Sequence, residues 1–297
     1  MAKEGRISFY NEIARNKRIS VLMILIVAIV LIGLVYAIGL AIGGVDIFVL
    51  SIIAIIITLS YTLISYYNAD KLALASVGAQ LASSSIYKQY YDSVEGLSLA
   101  SGLPMPRLYV MNNPQINAFA SGRDPKHAVI CVTTGALDKL NKQELEGVLA
   151  HEMSHIANYD IRFMTITAVM VGMIAIISQI FLRSLFFGSM GGRDSDNKGS
   201  AIFMVIGIVL AILAPIIVSL VQLAISRKRE YSADASAVKF MRTPTGLIGA
   251  LTKIKSNSEM KVSGAVAPLF LAKPNKAAEL FQTHPSLEKR IERLRKM

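Results

Sequence analysis

Residues 151–155 read His-Glu-Met-Ser-His. On an α-helix, four residues advance about 6 Å and turn about 40° past a full revolution, so His151 and His155 project from one face and can share a tetrahedral metal ion. Glu152 stands beside them, where a carboxylate can work on a metal-held water. The chain has 4 histidines, and two of them fall in this one motif. The motif needs a helix, and the sequence supplies its start independently. Asn141-Lys-Gln-Glu144 has the form of a capping box, which predicts a helix through Leu145, Val148 and Leu149 to about Tyr159.

A catalytic zinc site takes three protein ligands and keeps one position open, so a further His, Asp or Glu must come from elsewhere. His127, His284 and several carboxylates are candidates. Glu230 is the best placed, because it opens Glu230-Tyr-Ser-Ala-Asp234 on a helical continuation of an apolar run. Asp234, one turn on, shares its face and could accept the second ring N–H of a ligand histidine, fixing its tautomer. On spacing alone the two carboxylates could equally solvate a helix and neutralise Arg227, Lys228 and Arg229.

The rest of the chain must position this helix, and its composition says where. Of 297 residues, 53% are hydrophobic and 17% charged, with a mean hydropathy of +0.50. That balance excludes an ordinary cytosolic globule and a disordered chain. Four apolar runs, 21–42, 47–67, 163–182 and 201–225, are each long enough to cross a bilayer, which predicts four transmembrane helices in two hairpins. The first run is too long for a signal peptide and leads into the second across Gly43-Gly44-Val45-Asp46, so it stays as an anchor.

Lys3, Arg6, Arg15, Lys17 and Arg18 precede the first run, and Arg227, Lys228, Arg229, Lys239 and Arg242 follow the last. The positive-inside rule therefore puts both termini in the cytoplasm and the 183–200 loop outside. This distribution accounts for most of the net charge of +11. No basic stripe with interleaved aromatics exists, so nucleic acid is not an expected partner. The chain divides into an N-terminal segment and hairpin at 1–68, a first polar segment at 69–162 with the His151–His155 helix, a second hairpin at 163–226 and a second polar segment at 227–297 with Glu230. The two polar segments fold together as one split cytoplasmic α+β domain.

Within it, residues 72–100 read as largely helical and Leu103-Pro-Met-Pro106 as a rigid turn. Strands are expected at 107–111, 116–121 and 128–134. The last two flank Gly122-Arg-Asp-Pro125, so a small antiparallel sheet is the natural reading. The single cysteine, Cys131, can form neither an internal disulfide nor a cysteine-rich metal site and reads as a buried strand residue.

The strand Asn117-Ala118-Phe119-Ala120, the His151-Glu152-Met-Ser-His155 helix before an apolar run and Glu230-x-x-x-Asp234 after the next together resemble the HtpX family. Its members are membrane-bound zinc metalloproteases, relatives of the CAAX prenyl proteases, with a zincin-like domain. The resemblance implies one Zn2+ per chain held by His151, His155 and Glu230, with Glu152 as catalytic base and Asp234 behind a ligand. It also places His284 and Arg290, in Thr283-His284-Pro285-Ser-Leu-Glu-Lys-Arg290, near the active site. His284 could donate to the developing oxyanion, and Arg290 could pair with Asp234.

Asn117, Ala118 and Phe119 could bind an extended peptide by β-augmentation if their strand is an edge. Glu230 follows the fourth run by roughly 8 Å of helix and His155 precedes the third by roughly 12 Å. Membrane or unfolded proteins beside the lipid bilayer are therefore the expected substrates, and quality control is the role the resemblance implies. An intramembrane protease would need the motif inside an apolar span, and the polar Asn141–Glu146 start argues against that. A prenyl-protein protease has more spans than four. A non-catalytic scaffold or metal sensor would keep the metal ligands but would not need Glu152. The sequence leaves the oligomeric state open.

Overall fold

The structure is a computed structural model that describes residues 46–164, 229–256 and 285–297, with isolated positions at 18–36 and at 208. The described residues do not by themselves establish a membrane span. Of the four apolar runs, the second is seen whole, as helix α1 (Ile47–Tyr67). Asp46 caps it, accepting from the amides of Phe48 at 2.8 Å and Val49 at 3.3 Å. Its 21 residues carry no Asp, Glu, Lys or Arg and extend about 32 Å. Its apolar side chains face outward, Phe48, Ile56, Leu59, Leu63 and Ile64 among them. The first run, the fourth and most of the third lie outside the described residues.

After α1 come α2 (Ala69–Ser76), β1 (Gln80–Leu81), α3 (Lys88–Ser101), β2 (Arg107–Met111), β3 (Ala118–Gly122), β4 (Ala128–Thr133), α4 (Thr134–Lys139) and α5 (Lys142–Ala157). Beyond the second apolar pair lie a helical run at 229–241, then α6 (Thr245–Ser256) and α7 (Leu287–Leu294). The helix expected over 72–100 is broken in two. Gly78 adopts φ +62°, which ends α2 and turns the chain into β1, whose two residues pair with β2.

The sheet is mixed, and this corrects the antiparallel expectation. Its order is β1-β2-β4-β3. β1 is antiparallel to β2 and β3 to β4, but β2 runs parallel to β4, with Leu108 opposite Ile130 and Val110 opposite Val132. The turn signal at 122–125 marks the β3–β4 hairpin and is silent about β4's other neighbour. Ala-Val-Ile-Cys-Val-Thr of β4 is buried at all six positions, because both faces of the sheet are covered here.

Alternation along the strands sorts the core into two layers. Leu108, Val110, Ala118, Ala120, Ile130 and Val132 face Tyr90, Val94 and Leu97 of α3, Leu145, Val148, Leu149 and Met153 of α5, and Leu247 and Leu251 of α6. Met111, Phe119, Val129 and Cys131 face the other way, onto Ala73 and Leu74 of α2. α5 thus lies under the sheet, and α6 holds it from the far side. The two helices approach backbone to backbone: a Cβ on Gly147 would overlap the Leu247 amide, and one on Gly246 would overlap the Gln143 carbonyl. At the head of α5 the capping box closes as expected. Asn141 Oδ1 accepts from Glu144 N at 2.9 Å, and Glu144 Oε2 accepts from Asn141 N at 2.8 Å. Lys253 of α6 then donates to the same Glu144 oxygen at 2.6 Å, tying the two helices at this end.

Candidate metal centre

α5 carries His151, Glu152 and His155 in its last two turns, and all three are buried. The 229–241 helix brings Glu230 against them. The two Nε2 atoms are 3.2 Å apart. His151 Nε2 lies 3.5 Å from Glu230 Oε2, and His155 Nε2 lies 3.5 Å from Glu230 Oε1. Ligand atoms about 2.0–2.1 Å from a tetrahedral ion stand about 3.3 Å from one another, so these separations are those of donors around one small cation.

The ring nitrogens on the far side explain why the near ones converge. His151 Nδ1 is 3.0 Å from Asp234 Oδ1, and His155 Nδ1 is 3.1 Å from Asp160 Oδ2. A carboxylate at Nδ1 keeps the proton there and turns the Nε2 lone pair toward the other histidine. Two such lone pairs and a carboxylate meeting in a buried space repel unless a cation lies between them. His151, His155 and Glu230 are the cluster among the described residues whose donor atoms all fall within 4.8 Å of one another. Around them, the carboxyls of Glu152, Asp160, Glu230 and Asp234 stand against the guanidinium groups of Arg229 and Arg290, all six buried. With the carboxyls ionised the balance is −2, which a divalent ion neutralises. The residues therefore fit a metal such as zinc.

Arg290, fully buried on α7, grips Asp234 in a fork, Nε to Oδ2 at 3.0 Å and Nη2 to Oδ1 at 2.7 Å. Its Nη1 lies 3.2 Å from Glu230 Oε2. Burial pushes the Asp234 carboxyl up, but the Arg290 charge and the His151 hydrogen bond outweigh it and hold the group at about 2. Burial opposes the Arg290 charge, and Asp234 and Glu230 more than restore it, so its proton is held above the usual range. Burial likewise disfavours charging either histidine. The carboxylates Asp234 and Glu230 at His151, and Asp160 and Glu230 at His155, reverse that and raise both above the usual imidazole range, His155 the more strongly. A histidine ligates in its neutral form, so a metal cation at Nε2 displaces the proton that these carboxylates otherwise hold.

Glu152 points to a different neighbour. Burial is the largest influence on its carboxyl and pushes it up, the Glu230 charge adds to this, and His151, His155 and the Ala120 amide pull it part of the way back. The net position is above the usual carboxylate range. The Ala120 contact comes from β3, the outer strand of the sheet on this side. Sequence reading nominated Asn117, Ala118 and Phe119, and all three are buried. The Asn117 amide donates to the Thr133 hydroxyl and its carbonyl accepts from the Thr133 amide, while its side-chain oxygen accepts from the Ala118 amide. Phe119 packs on the face of the sheet away from α5, and it is Ala118 and Ala120 that face the helix.

Of the other candidates, His127 sits at the surface paired with Asp124, at 2.8 Å, outside the cluster. His284 lies outside the described residues. Asp160 was missed. It follows α5 across a turn in which Tyr159 takes φ +58°, so neither helical nor strand periodicity relates it to His155. The remaining signal was an aspartate placed directly before an apolar run.

Residues 84–297 match peptidase family M48. A protease HtpX homolog of Caldanaerobacter subterraneus subsp. tengcongensis is 47% identical over 82% of this chain and 83% of its own length. Those of Dictyoglomus turgidum and Limosilactobacillus reuteri are 41% and 40% identical, over 98% and 97% of this chain and 95% and 99% of their own. Among solved structures, the crystal structure of S. mikatae Ste24p aligns with a TM-score of 0.50 at 22% identity. The alignment covers 81% of this chain and 57% of that one, and it shows a shared fold. With a family match over more than half its length and relatives of 40–47% identity across most of it, the chain belongs to peptidase family M48 and is a metallopeptidase.

Proposed function

We propose that this chain is a membrane-embedded zinc endopeptidase whose active site faces the cytoplasm and cleaves unfolded or damaged membrane proteins. The observation that carries the reading is the convergence of His151 Nε2, His155 Nε2 and the Glu230 carboxylate on one buried point, each histidine backed by its own carboxylate. In this reading His151, His155 and Glu230 hold one Zn2+, which when bound supplies Lewis acidity toward the scissile carbonyl and an acidified water at neutral pH.

The protein's own groups do the rest. Glu152 takes the proton of the attacking water on its carboxylate and returns it to the leaving amine, for which its raised proton affinity is suited. Asp234 keeps the His151 imidazole oriented, and Arg290 fixes Asp234. His284 donates to the developing oxyanion. The outer edge of β3, from Asn117 through Phe119 to Ala120, aligns the substrate main chain against α5. Contacts to the main chain tolerate many sequences, as a quality-control protease requires.

The membrane assignment rests on the four apolar runs and on α1, a charge-free helix with an apolar surface. Both hairpins, 1–68 with its N-terminal segment and 163–226, cross the bilayer, and 69–162 and 227–297 pair on the cytoplasmic side. The direct test is casein degradation by the full chain in detergent. Glu152→Gln lowers the rate by about 10²–10⁴-fold while zinc binding is kept, and chelation abolishes cleavage until zinc is restored. Cleavage that survives both Glu152→Gln and chelation ends the proposal.

A further inference from the structure

The two ligand histidines are backed in parallel ways, by Asp234 and by Asp160. His151 is tied to the Glu230 helix through Asp234, which Arg290 grips. His155 is tied to the same helix by a separate route. Its Nδ1 is 3.1 Å from Asp160 Oδ2, and the other oxygen of Asp160 lies 3.7 Å from Nε of Arg229. Arg229 is the residue directly before Glu230. His155, Asp160, Arg229 and Glu230 thus form an arc that joins two metal donors without passing through the metal. The guanidinium of Arg229 also stacks on Phe163, with Cζ 3.8 Å from the ring centroid. Phe163 opens the third apolar run and Arg229 follows the fourth, and the arc ties the helical turn at 160–164 to the Glu230 helix.

We infer that Asp160 is a positioning residue for the metal centre: it fixes the tautomer and tilt of His155, and its contact with Arg229, which stacks on Phe163, couples that orientation to the Glu230 helix. The inference rests on the metal-site reading above and adds to it a residue and a route. Outer carboxylates of this kind govern metal affinity by about 10- to 100-fold. Asp160 lies beyond the helix, across the left-handed Tyr159, and so can reach the far nitrogen of His155, which no residue continuing α5 would do.

The test measures zinc affinity of the full chain in detergent by competition with a chelator of known affinity, and the visible spectrum of the Co2+-substituted protein. Asp160→Asn keeps an acceptor for the imidazole but loses the charge opposite Arg229, and zinc binding weakens by up to about 10-fold. Asp160→Ala would strand a buried guanidinium, so Asp160→Ala/Arg229→Met is made beside it. The double variant weakens zinc by about 10- to 100-fold and alters the Co2+ bands, because His155 is no longer oriented. Phe163→Ala gives a smaller loss of the same sign. Unchanged affinity and an unchanged Co2+ spectrum in Asp160→Asn and the double variant overturn the inference. His155→Ala is the control that separates the two claims. If it abolishes stoichiometric zinc while the Asp160 variants do not matter, only the positioning role fails. If it too leaves zinc bound, the metal site itself has been misread.

Discussion

Removing the guanidinium of Arg290 probes the electrostatic frame of the centre. The side chain is fully buried, holds both Asp234 oxygens at 2.7 and 3.0 Å and stands 3.2 Å from Glu230. Arg290→Met keeps an apolar stem but leaves two interior carboxylates short of a cation. Removing one partner of a buried pair costs about 3–5 kcal/mol. The pH dependence gives a second figure. Asp234 is held at about 2 against an ordinary 3.8, and that gap is worth on the order of 2 kcal/mol. A carboxyl lowered by folding stabilises the protein above its unfolded value, and this share is lost as pH falls from about 4 through 2. Arg290→Met therefore lowers stability at neutral pH and flattens the acid limb between those values. Denaturant unfolding of the metal-free protein in detergent, with Asp234→Asn and the double variant, reads both effects. The double variant is expected to cost at least about 1.5 kcal/mol less than the two single changes together, since Asp234 is then no longer stranded and only Glu230 still lacks its cation. Losses that add within about 0.5 kcal/mol, together with an unchanged acid limb, would refute the pairing as an energetic unit.

Three other expectations use the scaffold. Gly147→Ala sets a methyl against the Leu247 backbone and should cost about 1–3 kcal/mol, whereas Gly96→Ala, exposed in α3 with open space around it, should stabilise by about 0.5–1 kcal/mol; thermal unfolding compares them. Asn141→Ala breaks the capping box and should cost about 1 kcal/mol, with amide exchange in the first turn of α5 rising before the rest of the helix. Cys131 is buried in β4, and burial pushes its thiol up to about 12, so a maleimide should label the native protein negligibly and the unfolded protein fully, as mass spectrometry would show.

The local parts of this site could be read directly from the chain. His151 and His155 need only a helix, and Asn141 with Glu144 announces one. Glu230 was legible through its place beside an apolar run, but spacing could not separate a ligand from a solvated carboxylate, because that depends on packing between segments distant in sequence. Asp160 was illegible for a geometric reason: a left-handed residue at Tyr159 resets the chain direction, and periodic patterns stop there. The sheet divides in the same way. The β3–β4 hairpin shows in its turn residues, while the parallel β2–β4 pair and the short β1 depend on long-range pairing that alternation does not encode. Gly78 and the Ser83-Ser84-Ser85 stretch were the signs that 72–100 could not be one helix.

Seventy-five positions separate His155 from Glu230. A ribosome releasing the chain from its N-terminus therefore delivers two donors long before the third, and the segment between them must be placed before Glu230 can reach its seat. Until then the three donors of the proposed centre cannot converge, so the site closes only after distant parts of the chain have packed together.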